Sequence, residues 1–386
     1  MIDRPFLIAG GGIAGLASAL SLEKTGRGVR LFEQAADFAE VGAGLQMPPN
    51  GVAALQALGA WDAVEPACVS PSEIHVRDGV SGALLQRMRL GKTFVQCHGA
   101  PYRVCHRADL LAGLLSVALQ NNQIELNPGR RVAGAYTAAL VFADGASAEG
   151  CAIIAADGIH SSLRNLVCGD VRPVHHGHLI FRSLMPFVSV PTGIEADCVT
   201  LWLCPGGHVV HYPVSNWRNF NIVAAVDSHG QETGWGEPAA PGKVLGFFAS
   251  ACGALRQLLG APVSWVRWQA ADLPELPRWS KDNLVLVGDA AHACLPYLAQ
   301  GAVMALEDAC VLGAEVRRTG PFGEAFVRFE QRRRQRVTRI QMQSRALGSI
   351  YHAAGVKALA RNVALRVAGN EILRRRTGWI YGWTPG

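Results

Sequence analysis

Hydrophobic and polar positions along the first 70 residues follow the order expected for a nucleotide-binding α/β domain. A short apolar run over Phe6–Ala9 predicts a buried strand, and the pattern of residues 13–24 predicts a helix after a glycine-rich turn. A second strand is predicted over 29–33. Strand, turn, helix and strand in this order indicate half of a doubly wound sheet.

The same kind of pattern returns further along the chain. Arg107–Leu119 predicts an amphipathic helix with its leucines on one side. Apolar runs over 153–156 and 284–287 predict two more buried strands, and residues 132–148 alternate like a hairpin that turns at 144–145. We expect these segments to complete the domain that the first 70 residues begin.

The middle of the chain has a different, strand-rich pattern. Short strands are expected within 74–100, and further strands are predicted over 179–187, 199–203, 208–214, 221–226 and 263–268. The expected fold class is α/β: a Rossmann-like nucleotide-binding domain (1–72, 101–175 and 271–320), interleaved with an antiparallel β-sheet substrate domain (73–100 and 176–270) and followed by C-terminal helices (321–386). We expect the ligand between the two domains, because pockets favour such interfaces.

Charge is concentrated near the C-terminus. The 386 residues carry a formal net charge of +6, and much of the basic excess falls within 317–345, where Phe322, Phe326 and Phe329 recur at helical spacing. We interpret this segment as a surface helix with a solvated arginine face, not as a patch for another macromolecule. Neither a nucleic acid nor a membrane is therefore expected as a partner.

Cysteine usage and hydropathy bear on the compartment. The ten cysteines form no CxxC pair and no metal-type cluster, so we predict buried thiols in a reducing compartment and chemistry without a metal. No apolar stretch approaches the ~20 residues that a membrane span needs. The first strand begins almost at Met1, which leaves no room for a signal peptide. These features predict a cytoplasmic protein.

A glycine-rich loop follows the first strand. The sequence GGGIAG at 10–15 fits GxGxxG, in which the glycines allow a tight turn, close approach of a pyrophosphate and packing of the helix on the strand. The start of the helix supplies N–H donors to the phosphates. An acid at the end of the second strand is placed to bind an unphosphorylated adenosine ribose, as in FAD or NAD. The residues predicted to bind this dinucleotide are Gly10, Gly12, Ile13, Ala14, Gly15 and Glu33.

Two later motifs resemble the remaining fingerprints of the FAD-dependent aromatic hydroxylases, the family of para-hydroxybenzoate and salicylate hydroxylases. One is ADGIHSSLR at 156–164, and the other is GDAAH at 288–292, followed by a helix that opens after AQG at 299–301. The resemblance implies tightly but non-covalently bound FAD, held also by Arg107, Asp157, Arg164, Gly288, Asp289, Gly301 and Ala302. The amides that open the last helix would face the flavin pyrimidine, where reduced flavin carries negative charge.

The strand predicted over 208–214 offers the substrate side of the site. Alternation places His208 and Tyr212 on one face, and His211 on the other. The resemblance implies that a flavin hydroperoxide transfers oxygen to the ring. This step requires that the phenolic proton be removed, and a neutral histidine can accept that proton. We therefore expect His208 to act as base and Tyr212 to orient the ring.

Four further residues are expected near the substrate. Gln300 is predicted to hydrogen-bond the substrate or the hydroperoxide, and Pro296 to form a rigid wall. Arg182 could meet a substrate carboxylate, or else support the fold or the flavin. Gln46 lies in the segment 42–50, which resembles the branch of salicylate hydroxylases, 3-hydroxybenzoate 6-hydroxylases and 6-hydroxynicotinate 3-monooxygenases. The last of these favour histidine at that position, which weakens the assignment to that substrate.

Together these features predict a FAD-dependent monooxygenase that uses NADH or NADPH and O2 to hydroxylate a phenolic aromatic or hydroxypyridine carboxylic acid. The ring, the position hydroxylated, an accompanying decarboxylation and the choice of NADH or NADPH stay open, and so does the oligomeric state, for which the family suggests a homodimer. Two alternatives remain. One is another flavin reductase or oxidase on the same fold, and the other is a non-catalytic, redox-responsive flavin-binding protein.

Overall fold

The computed structural model describes residues 4–38, 43–228, 235–368 and 377–385. Gly42, the first residue of the segment 42–50, lies outside the described residues.

The described strands are β1 (Phe6–Ala9), β2 (Val29–Phe32), β3 (Gly44–Met47), β4 (Glu73–Asp78), β5 (Leu84–Arg89), β6 (Arg103–His106), β7 (Ile124–Asn127), β8 (Val132–Tyr136), β9 (Ala139–Phe142), β10 (Ser147–Glu149), β11 (Ala152–Ala155), β12 (Val174–Pro186), β13 (Val199–Cys204), β14 (Gly207–Val214), β15 (Asn219–Asp227), β16 (Trp235–Ala239), β17 (Trp265–Asp272), β18 (Ser280–Lys281) and β19 (Leu284–Leu286).

The described α-helices are α1 (Ile13–Leu22), α2 (Pro49–Leu58), α3 (Trp61–Val64), α4 (Lys92–His98), α5 (Arg107–Leu119), α6 (Arg164–Cys168), α7 (Pro241–Phe247), α8 (Gly253–Gly260), α9 (Asp289–His292), α10 (Gly301–Val316), α11 (Phe322–Tyr351) and α12 (Gly355–Val367). Short 3-10 helices lie at Glu23–Thr25, Glu65–Ala67, Phe187–Ser189 and Pro296–Leu298.

A six-stranded sheet forms the core of the nucleotide-binding domain, in the order β18-β19-β11-β1-β2-β7. Its neighbours pair in parallel except at the edge, where β18 runs antiparallel to β19. Every residue of β1, β11 and β19 is buried, as expected for strands covered on both faces. Since β1 is central and leads directly into the glycine loop, that loop lies at the middle of the carboxyl edge.

The second large sheet has eight strands in the order β16-β17-β12-β15-β14-β13-β4-β5. All its pairs are antiparallel except β13 with β4. The sheet joins segments that lie far apart in the sequence, because β4 and β5 lie within residues 73–89 and the other six strands within residues 174–272. The predicted α/β fold class is confirmed, while the domain limits stay predictions.

Two local expectations are wrong. Residues 92–98 form α4 instead of a strand, since Gly91 precedes the helix and Gly99, in the left-handed region with φ +77°, ends it. The segment 132–148 makes three strands and not one hairpin, because the chain also turns at Thr137, whose φ is +51°. A threonine in that conformation carries no turn signature that the sequence would show.

The expected solvated arginine face of the C-terminal helix is also wrong in its central part. Arg333 of α11 is only 1% exposed, and its guanidinium binds Glu307 Oε2 at 2.6 Å and Asp308 Oδ1 at 2.7 Å. Arg336 binds Glu307 as well. The reason is tertiary: α10 buries two adjacent carboxylates completely, and buried charges need partners.

The buried carboxylate pair also holds the loop that follows β19. Asp308 Oδ2 accepts hydrogen bonds from Gly288 N at 2.9 Å and from His292 Nε2 at 2.6 Å. Burial alone would raise the pKa of Asp308, but His292 and Arg333 outweigh it and lower that pKa below its ordinary value. The carboxylate therefore stays ionised and fixes the loop at Gly288.

The C-terminal aromatic residues pack within the chain: Trp379 lies under Arg339, with 3.9 Å between guanidinium carbon and ring centroid, and Tyr381 contacts Tyr102. The ten cysteines, all of which lie among the described residues, form no disulfide, and Cys97 is exposed, contrary to the expectation of buried thiols. No helix in the described part of the chain is long and apolar enough to cross a membrane.

We predict that Arg333→Met lowers the free energy of unfolding by about 3 kcal/mol, because the substitution leaves two buried carboxylates short of a cation. Urea unfolding, followed by far-UV circular dichroism, measures the change. Arg332→Met is the matched control: it removes a half-exposed arginine from Glu315, which keeps Arg318 and Arg328. The control should lose no more than about 1 kcal/mol. Equal stability of the two variants would contradict the prediction.

Candidate active site

A cavity of about 820 Å³ lies between the two large sheets. It brings together most of the residues that the sequence predicts for the site. Those that line it are Gly10, Gly12, Ile13, Ala14, Glu33, Gln46, Arg107, Asp157, Arg182, His208, Tyr212, Asp289, Pro296, Gly301 and Ala302. Gly15, Arg164, Gly288 and Gln300 do not line it.

The glycine loop brings the backbone close to this cavity. Gly10 has φ +106°, and a Cβ there would lie 2.3 Å from the carbonyl oxygen of Ala156. A Cβ at Gly15 would lie 1.9 Å from the carbonyl oxygen of Gly10, so this glycine lets α1 pack against the loop. The first turn of α1 has no acidic side chain, and its amides can therefore receive a phosphate.

Glu33 holds the glycine loop from the end of β2. Its carboxylate accepts hydrogen bonds from Gly11 N at 2.7 Å and from Ala35 N at 2.8 Å. A carboxylate has about four acceptor sites, so two backbone donors leave capacity for the hydroxyls of a ribose. The residue lines the cavity and thus fits the predicted contact while also shaping the loop.

The loop that follows β19 packs against the first turn of α1. Gly288 has φ +57°, and a Cβ there would lie 2.8 Å from Ala14 Cβ. The next residue, Asp289, begins α9 and lines the cavity. Farther on, Gly301 and Ala302 open the sixteen-residue helix α10 toward the same cavity. The positive end of this helix is suited to an anionic group.

The ADGIHSSLR fingerprint contributes differently at its two ends. Asp157 lines the cavity, and its Oδ2 accepts from the backbone N of Ser162 at 2.9 Å, whereas its buried Oδ1 has no hydrogen-bond partner among the described residues. Arg164 turns away and donates to the carbonyls of Ile159, Val171 and Ala290. Its placement ties the fingerprint to α9 and does not support the predicted direct contact with the cofactor.

The substrate sheet forms the facing wall. Two rows of residues run across strands β12, β15 and β14. The first row contains Ile180, Ala225 and His208, and the next inward-facing row contains Arg182, Val223 and Val210. All six line the cavity, as the two-residue alternation of strands requires. The wall is therefore an apolar surface with one imidazole and one guanidinium, which suits an aromatic ring that carries polar substituents.

Arg182 presents a cation with unused hydrogen-bonding capacity. Its Nε is buried and has no hydrogen-bond partner among the described residues, and its guanidinium lies 5.8 Å from the Trp268 ring centroid. Burial and the neighbouring Arg107 lower the pKa of Arg182, without neutralising a guanidinium. An anionic ligand group would satisfy this residue.

Gln46 and Tyr212 belong to a polar cluster at one side of the cavity. The hydroxyl of Tyr102 donates to Gln46 Oε1. Burial raises the pKa of Tyr212 far above its ordinary value, and that of Tyr102 likewise, so both phenols stay protonated. The cluster supplies neutral donors and acceptors, and Tyr102 is a member that sequence reasoning missed.

His208 is buried, with 4% of its surface exposed, and its Nδ1 lies 2.8 Å from His352 Nε2. Burial, with the nearby His352 and His178, lowers the pKa of His208 well below its ordinary value. The imidazole is therefore neutral near pH 7. Sequence reasoning missed both neighbouring histidines. His178 lies an even number of residues from Arg182 on β12, hence on the same face of that strand, and could have been found from this alternation. No local signal marks His352.

Gln300 takes a position behind the cavity wall. It is only 1% exposed, its Oε1 accepts from Asn50 Nδ2 at 2.9 Å, and its Nε2 has no partner among the described residues. Because it precedes α10 directly, this contact positions the start of the helix. The placement does not support the predicted direct hydrogen bond to the substrate.

Similarity to known proteins identifies the family of this chain. The FAD binding domain family matches residues 3–344. A 3-hydroxybenzoate 6-hydroxylase of Polaromonas naphthalenivorans (strain CJ2) is 36% identical over 100% of this chain and 97% of its own length. The chain belongs to the FAD-dependent aromatic hydroxylases.

Solved structures agree with this assignment. Klebsiella pneumoniae HpxO complexed with FAD and uric acid has a TM-score of 0.87 and 26% identity, covering 98% of this chain and 96% of that one. A salicylate hydroxylase substrate complex has a TM-score of 0.83 and 27% identity, covering 100% and 96%. The predicted family, fold and FAD cofactor are confirmed, and the enzyme is a flavoprotein monooxygenase with NADH or NADPH as co-substrate. The roles of individual site residues stay predictions.

We predict that Gly10→Ala weakens FAD binding at least about tenfold, a loss of about 1.4 kcal/mol, because the new Cβ would collide with the Ala156 carbonyl. The flavin-to-protein ratio after purification and a titration of the apoprotein with FAD measure the effect. Gly26→Ala is the matched control, since Gly26 also has a positive φ (+81°) but a Cβ there meets nothing within 4 Å. Full FAD occupancy in Gly10→Ala would refute this role of the loop.

Proposed function

We propose that this enzyme hydroxylates a phenol that also carries a carboxylate, with a monohydroxybenzoate as the representative substrate. The observation that supports this most is the placement of Arg182 and His208 on neighbouring rows of one apolar sheet face, opposite the opening of α10. One group suits a carboxylate and the other a phenolic hydroxyl. The name of the 3-hydroxybenzoate 6-hydroxylase relative is consistent with this substrate class.

The carboxylate would bind Arg182. A guanidinium and a carboxylate form short, charge-assisted and often bidentate hydrogen bonds. The unpartnered buried Nε of Arg182 would gain an acceptor, and the positive field of Arg107 would favour an anion at the same place. The ring would then lie on Ile180 and Val210, between the guanidinium and the imidazole.

His208 would act as the general base. When bound, FAD supplies the reducing equivalents and the activated oxygen, and the protein has to make the ring electron-rich at the moment of transfer. A phenolate is a far better nucleophile than a phenol, and a neutral imidazole within reach can accept its proton. Tyr212 would orient the ring as a neutral hydrogen-bonding partner, with Gln46 behind it.

Other residues would shape the site without reacting. Pro296 forms part of the cavity wall, and Gln300 would hold the start of α10 in place through Asn50. Dioxygen as the oxidant is part of this proposal. A homodimer, which the family resemblance suggests, and a cytoplasmic location, which the sequence features suggest, stay predictions.

A substrate screen tests the proposed function. The purified FAD-loaded enzyme would be given NADH or NADPH with hydroxybenzoates and hydroxypyridine carboxylates, and each product would be identified by mass. We expect ring-stimulated oxidation of the nicotinamide and a product with one added oxygen atom. Oxidation without an oxygenated product would instead favour a reductase or oxidase on the same fold.

We predict that His208→Ala keeps FAD and its reduction by the nicotinamide but loses about 100-fold or more of product formation with phenolic substrates, since general-base catalysis contributes that much. Rapid-reaction absorbance of the flavin and product analysis measure the two effects separately. His211→Ala is the control, because His211 lies on the same strand with its side chain on the other face. Unchanged turnover in His208→Ala would remove this residue from the mechanism.

We predict that Arg182→Met weakens binding of a hydroxybenzoate about 30-fold, which corresponds to the loss of about 2 kcal/mol from charged hydrogen bonds. Titration of the flavin absorbance with ligand measures the dissociation constant. The corresponding phenol without a carboxylate is the control ligand, and its affinity should not change. An equal loss for both ligands would show that Arg182 supports the fold instead of the carboxylate.

A further inference from the structure

His208 is poorly placed to keep a proton. It is buried, and burial with two histidine neighbours lowers its pKa well below its ordinary value. If it accepts the phenolic proton, as the proposed function requires, a charged imidazolium would form in a site that already contains Arg182 and Arg107. An efficient base in this position needs a route by which the proton leaves.

A chain of hydrogen bonds leads from His208 toward the surface. Its Nδ1 lies 2.8 Å from His352 Nε2, and the opposite nitrogen of His352, Nδ1, is hydrogen-bonded to Asp227 Oδ1. The side chain of Asp227 is 43% exposed, whereas that of His352 is 3% exposed. The three groups therefore connect the cavity wall to solvent, from a buried ring through a second buried ring to an accessible carboxylate.

We propose that His352 and Asp227 form a proton relay that carries the phenolic proton from His208 to solvent and returns one to the product. The inference rests on the proposed role of His208 as base. His352 and Asp227 act through His208 and need not contact the substrate.

The carboxylate determines which nitrogen of each ring holds the proton. An ionised carboxylate only accepts hydrogen bonds, so His352 Nδ1 must carry a hydrogen. In neutral His352, Nε2 is then an acceptor, and His208 Nδ1 has to donate to it. This leaves a lone pair on His208 Nε2, the nitrogen that a base needs. The logic is that of a carboxylate that fixes a catalytic histidine tautomer.

The proton transfers balance. As the substrate O–H bond breaks, its electron pair stays on the oxygen and the proton joins His208 Nε2. The hydrogen on His208 Nδ1 moves to His352 Nε2, and the hydrogen on His352 Nδ1 passes through Asp227 to water. Both imidazoles are neutral at the end, and one proton has entered solvent. Transfer in the reverse direction protonates the product phenolate and restores both tautomers.

The position of His352 in the fold suits a relay. It directly follows the thirty-residue helix α11, its N–H donates to Gly348 O, and its own carbonyl accepts from Gly206 N at 3.0 Å. The carboxyl end of a helix favours a positive charge in transit. The turn between β13 and β14 is thereby attached to the end of α11, next to the strand that carries His208.

Several titratable groups from neighbouring elements surround the relay. His178 lies beside Asp227 across the β12–β15 pair, with Nε2 3.4 Å from Asp227 Oδ1 and Nδ1 2.6 Å from the Tyr297 hydroxyl. Burial and His352 lower the pKa of His178. Among the described residues, His352 faces titratable side chains from four elements: His208 of β14, His178 of β12, Asp227 of β15 and Tyr297 of the 3-10 helix Pro296–Leu298. Tyr351, at the end of α11, lies beside His208.

The test compares two substrates in a set of variants. The first is the best phenolic substrate from the screen, and the second is a fluorinated analogue whose hydroxyl is already ionised at the assay pH. We expect His352→Gln to lower kcat at least about tenfold for the phenol. For the ionised analogue its kcat should stay near the wild-type value, because no proton has to leave. Reduction of FAD by the nicotinamide should be unaffected with either substrate.

Asp227→Asn serves as a second variant in case His352→Gln folds poorly, since it retains the shape of the side chain and removes the anionic acceptor. It should show the same dependence on the substrate, with a smaller loss. His175→Gln, an exposed histidine on β12, is the matched control and should behave as the wild type. FAD content and far-UV circular dichroism verify the folding of each variant.

The outcomes separate the relay from the function on which it rests. Wild-type kcat in both relay variants, with His208→Ala impaired, would overturn the relay and keep His208 as base. An equal loss for the phenol and for the ionised analogue would show a structural role and would also overturn it. If His208→Ala itself turns over the phenol normally, the proposed function of that residue fails, and the relay fails with it.

Discussion

The ion cluster around Glu307 and Asp308 is the constraint on which most of this structure depends. Two adjacent, fully buried carboxylates on α10 are neutralised by Arg333 and Arg336 of α11, and Asp308 also accepts a hydrogen bond from the backbone N–H of Gly288. Removing such charges from water is costly, so the cluster is stable only where cations and donors meet it in one geometry. The loop that carries Asp289, the start of α10 and the docking of the long helix are thereby determined together.

The cavity depends on that arrangement and on the alternation of a pleated sheet. The nucleotide-binding domain contributes glycine turns and helix N-termini, which offer backbone donors without side-chain bulk. The facing sheet contributes two rows of residues that are apolar except for Arg182 and His208, and Tyr212 adds a phenol on the same face. The permanently charged guanidinium favours an anion, and the neutral imidazole beside it can accept a proton. This combination suits a substrate whose carboxylate binds the guanidinium while its phenolic hydroxyl loses a proton.

The long helix α11 links these two parts of the molecule. Its middle carries Arg333, which binds the buried carboxylates, and its end leads into His352, which touches His208. Nineteen residues separate these positions, or about 28 Å along a helix. One rigid element therefore positions both the cofactor loop and the hydrogen-bonded partner of the proposed base.

How much could be predicted from the sequence depended on distance along the chain. Turns, strands and helices whose pattern is local were predicted well, as for α5, for β1 with its glycine loop, and for the alternation of His208 and Tyr212 on β14. Errors arose where no local signal exists, as at the turn of Thr137, or where a distant partner changes the environment, as for Arg333. The hydrogen bond from Asn50 to Gln300 likewise joins residues that lie 250 positions apart, and no local pattern indicates it.

The amino-acid sequence by itself determined the family with its FAD cofactor, the tight glycine turn after β1 and the strand face that His208 shares with Tyr212, because glycine geometry and the two-residue period are properties of neighbouring residues. Only the tertiary structure decided which charges are buried, which polar groups reach the cavity and what stands behind His208. Those outcomes depend on desolvation and on hydrogen bonds between segments such as β14, β15 and the end of α11. Their meeting is a consequence of packing that no single segment encodes.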